Sequence, residues 1–293
     1  MTVRKAELLL ASVILARSTS FLFTKIGMES IGIFNLLGVR FSLAFLLLAV
    51  LFWRRLIACR ARTVFRGMLL GGAFFSVMTA ELMGLRTTST STTAFLENTA
   101  VVFVPLFEAV LQKRFPNRRI VINTGVAFFG IALLTLRSSL SLTVGEAFCI
   151  LAAVLYALSI ILTDRLAKRD NALMLGILQV GFMGLFGILA AFIFETPRLP
   201  SGGIEWGVIL ILAVVCTGFG FTLQPVAQNG TTSERAGLYC ALNPVFASFL
   251  GTVFLHEHLG FRGIAGSLLV LSAVALSHVS KDGLKAVLRT DQC

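Results

Sequence analysis

Ten apolar runs, each close to the length of a bilayer crossing, take up nearly all of this 293-residue chain. They cover residues 6–28, 33–53, 67–85, 90–111, 120–136, 144–163, 171–194, 203–227, 236–256 and 263–280. A helix needs about 20 mostly apolar residues to cross the roughly 30 Å hydrocarbon layer. Strands of a membrane barrel would alternate apolar and polar residues over about ten positions, and these runs do not. With 13% of residues charged and 57% hydrophobic, there are too few charges to coat a water-soluble exterior. The expected fold is an all-α integral membrane protein with ten transmembrane helices and no appended soluble domain.

The distribution of basic residues orients the helices. If the amino terminus faces the cytoplasm, the inner segments hold Arg4, Lys5, Arg54, Arg55, Arg60, Arg62, Arg66, Lys113, Arg114, Arg118, Arg119, Arg165, Lys168, Arg169, Arg235, Lys281, Lys285 and Arg289. The outer loops hold only Arg86, Arg137, Arg198 and Arg262. Lysine and arginine concentrate on the cytoplasmic side of membrane proteins, so both termini are expected there. The net charge of +11 then faces anionic headgroups and not a nucleic acid. The cysteines at 59, 149, 216, 240 and 293 have no metal-ligand spacing and read as small apolar filler. His256 and His258 flank Glu257 at a helix end, where positions i and i+2 point apart. No cofactor and no metal site is expected.

Laid on itself, the chain shows a repeat in hydropathy and in the placement of polar residues. Arg17 falls on Tyr156, Lys25 on Asp164 and Arg40 on Gln179 at one constant offset. After a small shift, Glu81 falls on Gln224 and Ala94 on Gly237. The chain thus divides into residues 1–139 and 140–293, five helices each. An odd number of crossings per half inserts the second half in the opposite sense. Inverted repeats suit alternating access, with substrate held near the midplane between the halves.

The stretch ARSTSFLFTKIG, with Arg40-Phe41 in the second helix, resembles the opening of the EamA branch of the drug/metabolite transporter superfamily. ALNPVFASFLGTVFLHEHLG, closing on Gly266, is similar to the end of that family's second repeat. The resemblance spans essentially the whole chain. It implies ten helices, a bacterial inner-membrane location and export of metabolites such as amino acids. The chain departs from the family in having Arg17-Ser18 where Trp-Gly is usual. Between its own repeats, Val101 stands opposite Pro244 and Arg114 opposite Glu257.

Five ionisable residues, Arg17, Lys25, Arg40, Glu81 and Glu97, lie deep inside the apolar runs. A charge at a helix centre costs about 2.5–3.5 kcal/mol on insertion scales, so none should face lipid. Lys25 is close enough to an end to snorkel. Arg17 and Glu97, near mid-depth, are expected to line a substrate cavity, with Glu81 and Asn98 beside them. Arg17 or Arg40 pairing with Glu97 or Glu81 is the purely structural reading. The second half contributes neutral polar groups: Tyr156, Gln224, Gln228, Tyr239 and Asn243. Pro225 and Pro244 each remove a backbone donor at membrane depth.

These features predict a secondary transporter exporting a small metabolite, most simply an amino acid. Arg17 would meet its carboxylate and Glu97 its ammonium, and Glu97 or Glu81 could carry a coupling proton. No G-x-x-x-x-G-K loop is present to use ATP. A multidrug exporter would want a carboxylate without a matching arginine and more aromatic residues. An intramembrane enzyme would want H-E-x-x-H or G-x-S-x-G, which are absent.

Overall fold

A computed structural model of the protein describes residues 2–28, 30–88, 90–113, 115–135, 143–255 and 260–278. Arg114, Arg137, the His256-Glu257-His258 stretch and the tail bearing Lys281, Lys285, Arg289 and Cys293 lie outside the described residues. Among the described residues every regular element is a helix. The first half of the chain forms α1 (Val3–Ser18), α2 (Ser20–Met28), α3 (Ile33–Ile57), α4 (Ala61–Thr87), α5 (Thr90–Asn98), α6 (Ala100–Gln112) and α7 (Arg118–Thr135). The second forms α8 (Val144–Ala167), α9 (Ala172–Phe194), α10 (Gly203–Ile211), a π-helical segment (Leu212–Phe221), α11 (Thr222–Gln228), α12 (Ser233–Cys240), α13 (Leu242–Leu255) and α14 (Phe261–His278).

Each helical stretch sits on one of the apolar runs. Several overshoot it: α4 begins at Ala61, and α8 continues to Ala167. The backbone ladder does not stop where hydrocarbon does, and Arg62, Arg66 and Arg165 can extend into the headgroups. Among the described residues, seven stretches are long and apolar enough to cross a membrane: Val3–Met28, Ile33–Ile57, Ala61–Thr87, Thr92–Gln112, Val144–Ala167, Ala172–Phe194 and Gly203–Gln228.

Among the described residues four stretches are interrupted, and two of the breaks have local causes. At the α1–α2 break, Ser18 and Thr19 donate their hydroxyls back to Leu15 O and Ala16 O, both at 2.7 Å. At α5–α6, Thr99 donates to Leu96 O at 2.5 Å and Asn98 Nδ2 to Ala94 O at 2.7 Å. Such back-bonding competes with the helical ladder. The α12–α13 break at Ala241 changes the meaning of Pro244. The sequence suggests a proline midway along a helix, but the break places it in the first turn of α13, where its missing N–H is harmless. Pro225 lies inside α11, just after the π-helical segment, whose wider turn suits a backbone lacking one donor.

Small residues bring the helices together. A Cβ at Gly71 would come within 2.7 Å of Phe182 Cβ and 2.9 Å of Gln179 O, and one at Gly67 would strike Leu178, so the GxxxG pair of α4 is a packing face against α9. The backbones of α3 and α9 also nearly touch: a Cβ at Gly187 would lie 2.6 Å from Gly38 N, and one at Gly184 2.7 Å from Ser42 N. Neither neighbour can yield, because both are main chain. Gly187→Val is therefore expected to force the two helices apart and cost about 1–3 kcal/mol or more. The check is a lowered thermal midpoint of the purified protein in detergent; an unchanged midpoint would refute this packing.

Polar contacts gather at the two ends of the bundle. At one end, Glu7 of α1 pairs with Arg235 of α12 at 2.7 Å, Arg66 of α4 with Asp170 at 3.0 Å, and Glu108 of α6 with Arg165 of α8 at 3.6 Å. At the other, Glu195 caps α3, accepting from Phe34 N at 3.1 Å and Asn35 N at 2.9 Å. A Cβ at Gly32 would meet that carboxylate, so a side chain there would have to displace the cap.

Candidate functional site

Arg17 is the penultimate residue of α1, just before the helix breaks, and it projects between elements from both halves of the chain. Its Nη1 donates to Tyr156 Oη of α8 at 2.9 Å and to Gln224 Oε1 of α11 at 2.7 Å. The guanidinium carbon lies 4.2 Å from the Phe221 ring centroid and 5.3 Å from that of Tyr156. Phe74 packs edge-on against both rings, and Phe41 edge-on against Phe221. Tyr156 Oη in turn contacts Cys240 Sγ at 3.2 Å. Arginine has five N–H donors, and both hydrogen bonds come from Nη1. The Nε–Nη2 edge makes none among the described residues, and the side chain is only partly buried. Among the described residues no carboxylate lies within ion-pair distance.

Glu97 and Glu81 are also without an ion pair among the described residues. Glu97 is 3% exposed and Glu81 7%, and the Oε2 of each has no hydrogen-bond partner. Both are within electrostatic reach of Arg17. The ion pair of Arg17 or Arg40 with Glu97 or Glu81 that a purely structural role would use does not form among the described residues. Arg40, 1% exposed, donates to Thr24 Oγ1 at 3.2 Å and Ser20 Oγ at 3.4 Å, and its guanidinium lies 4.6 Å from the Phe41 ring. Hydroxyls and a π-face, not a carboxylate, solvate that charge.

The remaining sequence-derived residues separate into groups. Tyr156 and Gln224 join Arg17 directly. Gln228 is fully buried, with neither side-chain polar atom partnered, and Asn243 has an unpartnered Oδ1. Asn98 turns its amide onto its own helix at Ala94 O. Tyr239 lies instead within reach of the Glu7–Arg235 pair, at one end of the bundle. Lys25 is exposed, as snorkelling requires.

Comparison with known proteins bears on what such a constellation serves. The sequence matches the EamA-like transporter family twice, over residues 4–136 and again over 143–279. This chain belongs to the EamA-like transporter family. It is a transporter of the drug/metabolite superfamily type and a multi-pass membrane protein. Two proteins of Archaeoglobus fulgidus, each described as an uncharacterized transporter, resemble it along most of their length. One is 27% identical over 93% of this chain and 97% of its own, the other 26% over 92% and 85%. A protein of known crystal structure shares the fold, with a TM-score of 0.78 at 16% identity, over 94% of this chain and 96% of its own.

Within this EamA-like chain, sequence reasoning missed several contributors. Phe221 and Cys240 complete the surroundings of Arg17, yet they look like ordinary apolar residues in sequence. The buried cysteines are more than filler: Cys216 Sγ lies 3.1 Å from Thr19 Oγ1, at the α1–α2 break. Glu7, 2% exposed, and Glu108, 5% exposed, lie inside apolar runs near their ends. Their basic partners were visible in the same charge pattern that oriented the helices. Asp170 is partly desolvated, but hydrogen bonds from Thr63, the Asn171 backbone and Arg66 outweigh this and hold its carboxyl below the usual aspartate value. The pair with Arg66 is therefore ionised at neutral pH.

Proposed function

We infer that this EamA-like transporter exports a small carboxylate-bearing metabolite, an amino acid in the simplest case, by alternating access. The observation that carries this reading is the free Nε–Nη2 edge of Arg17 in the middle of the bundle. A planar guanidinium edge matches a carboxylate in a bidentate pair, and here no described residue competes for it. Glu97, with an unpartnered oxygen of its own, supplies the opposite charge for an ammonium. The proposed solute site thus comprises Arg17, Tyr156, Gln224, Glu97 and Glu81. Gln228, Asn243 and Asn98 border it, and Tyr239 lies towards one exit.

The proposed architecture is ten crossings in two inverted five-helix repeats, 1–139 and 140–293, with both termini in the cytoplasm. Three observations support it. The family matches twice in tandem. Arg17 and Tyr156, counterparts in the repeat alignment, are hydrogen-bonded to each other, and a residue meets its own counterpart only near the axis relating two halves. The pairs Glu7–Arg235, Arg66–Asp170 and Glu108–Arg165 each join segments that the charge pattern assigns to the cytoplasmic side. The membrane is the one bounding the cytoplasm, the inner membrane in a bacterium.

The test is transport in proteoliposomes, using a panel of radiolabelled amino acids with and without an imposed pH gradient. Saturable movement of at least one zwitterion is expected. Movement of lipophilic cations with no amino-acid transport would overturn the substrate class and favour a multidrug exporter.

A further inference from the structure

Two neighbouring cavities lie away from Arg17. The first, of about 420 Å³, lies at the end of the bundle opposite Glu7 and Arg235, between the α2–α3 connection, the end of α4 and the residues after α9. The second, of about 430 Å³, is a groove on the bundle's flank between α3, α9 and the start of α10. Asn35 and Arg198 line both. Sharing these two residues, they adjoin, the first as a charged mouth and the second as an apolar groove.

The chemistry changes sharply between them. Arg86, Arg198 and Glu195 line the mouth. Arg198 donates to Glu205 at 2.6 Å. Glu195 is fixed in place by the α3 backbone and by Asn35 Nδ2 at 2.8 Å. Arg86 is exposed and makes no ion pair or hydrogen bond among the described residues. Among the described residues that line it, the mouth therefore offers one uncommitted cation, Arg86, beside one immobilised carboxylate, Glu195. The groove below it is walled by Leu43, Leu46, Ile188, Phe192 and Leu199. Its floor is set where Gly38 and Gly187 bring the α3 and α9 backbones together. From Phe34 to Leu46 it follows α3 for about 18 Å at 1.5 Å per residue, close to the depth of one leaflet of a roughly 30 Å hydrocarbon core. Trp206 stands beside it, and tryptophan favours headgroup depth.

We propose that mouth and groove together are a binding site for one phospholipid with a primary ammonium headgroup, a phosphatidylethanolamine. Its phosphate sits on Arg86, its ammonium on Glu195, and one acyl chain lies in the groove. A soluble zwitterion would use the charged mouth but leave the groove to water or bulk lipid. An anionic headgroup would use Arg86 but meet Glu195 unfavourably. Phosphatidylcholine would lack the N–H donors that reach a carboxylate.

The chain carries its own reporter. It has two tryptophans, and Trp53 lines neither cavity. Trp53→Phe leaves Trp206 as the only tryptophan, and lipids brominated in the acyl chain quench it on contact. The Trp53→Phe protein is reconstituted in phosphatidylcholine containing increasing fractions of brominated lipid. Brominated phosphatidylethanolamine is expected to quench at mole fractions on the order of tenfold lower than brominated phosphatidylcholine, the worth of about one charge-assisted hydrogen bond. Arg86→Gln and Glu195→Gln, each in that background, should bring the two curves together. Because Glu195 also caps α3, the exposed Arg86 gives the independent variant. Identical curves for the two lipids in the parent protein would reduce the groove to ordinary lipid contact and overturn the proposal. Stronger quenching by phosphatidylglycerol than by phosphatidylethanolamine, or relief of the excess by millimolar glycine, would equally overturn it.

Discussion

Arg17→Leu is expected to lower transport of a carboxylate-bearing solute by about tenfold to hundredfold, the worth of the charge-assisted hydrogen bonds it removes. The expectation follows from what Arg17 does not touch. Its Nη1 is held by Tyr156 and Gln224 and its face by Phe221, so the side chain is positioned without a counter-ion. Arg17→Lys should retain part of the activity, because lysine keeps the charge but loses the planar bidentate grip. Tyr156→Phe should do less harm than Arg17→Leu, since Gln224 and Phe221 still orient the guanidinium. A structural role predicts a different pattern. If Arg17 mattered only by balancing Glu97, then Arg17→Leu combined with Glu97→Leu would restore transport and the thermal midpoint together. Normal transport in that double variant would end the solute-binding role of both residues.

The sequence made the helices legible and their interruptions less so, for physical reasons. Apolar length alone marks a membrane helix, because lipid imposes one requirement on every residue facing it. The breaks depend on local competition for the backbone. The Arg17-Ser18-Thr19-Ser20 cluster carries that signal openly, and there the chain does break. The break at Ala241 has no such cluster, and Pro244, which the sequence places midway along a single helix, lies in the first turn of the next one. Likewise, the depth of Arg17 and Glu97 could be counted along their helices, but their mutual geometry could not. Whether two buried charges pair is decided by helix rotation and by a few ångströms of separation. Neither leaves a trace in hydropathy. The hydroxyls of Ser20 and Thr24 that serve Arg40 lie one turn apart on α2, a spacing visible in sequence only to a reader who already knows which helix faces which.

Glu97→Gln should separate binding from energy coupling. Glutamine matches the shape and hydrogen-bonding capacity of the protonated acid, but it can neither release a proton nor hold a negative charge. Glu97 sits in α5, immediately before the break at Thr99, where a change in the carboxyl group can bear on the angle between α5 and α6. It is buried without a contact ion pair among the described residues, which leaves its carboxylate open to a bound ammonium or a proton. If Glu97 carries the coupling proton, the Gln variant should still exchange labelled for unlabelled solute across proteoliposomes at a rate within several-fold of the parent. Accumulation driven by a pH gradient should disappear. Glu81→Gln, at the more exposed of the two carboxylates, should keep the gradient response if Glu97 alone couples and lose it if the pair acts together. Loss of exchange as well as accumulation in Glu97→Gln, with the thermal midpoint unchanged, would instead assign Glu97 to the ammonium of the solute. Gradient-driven accumulation surviving in both single variants and in their combination would remove these carboxylates from coupling altogether.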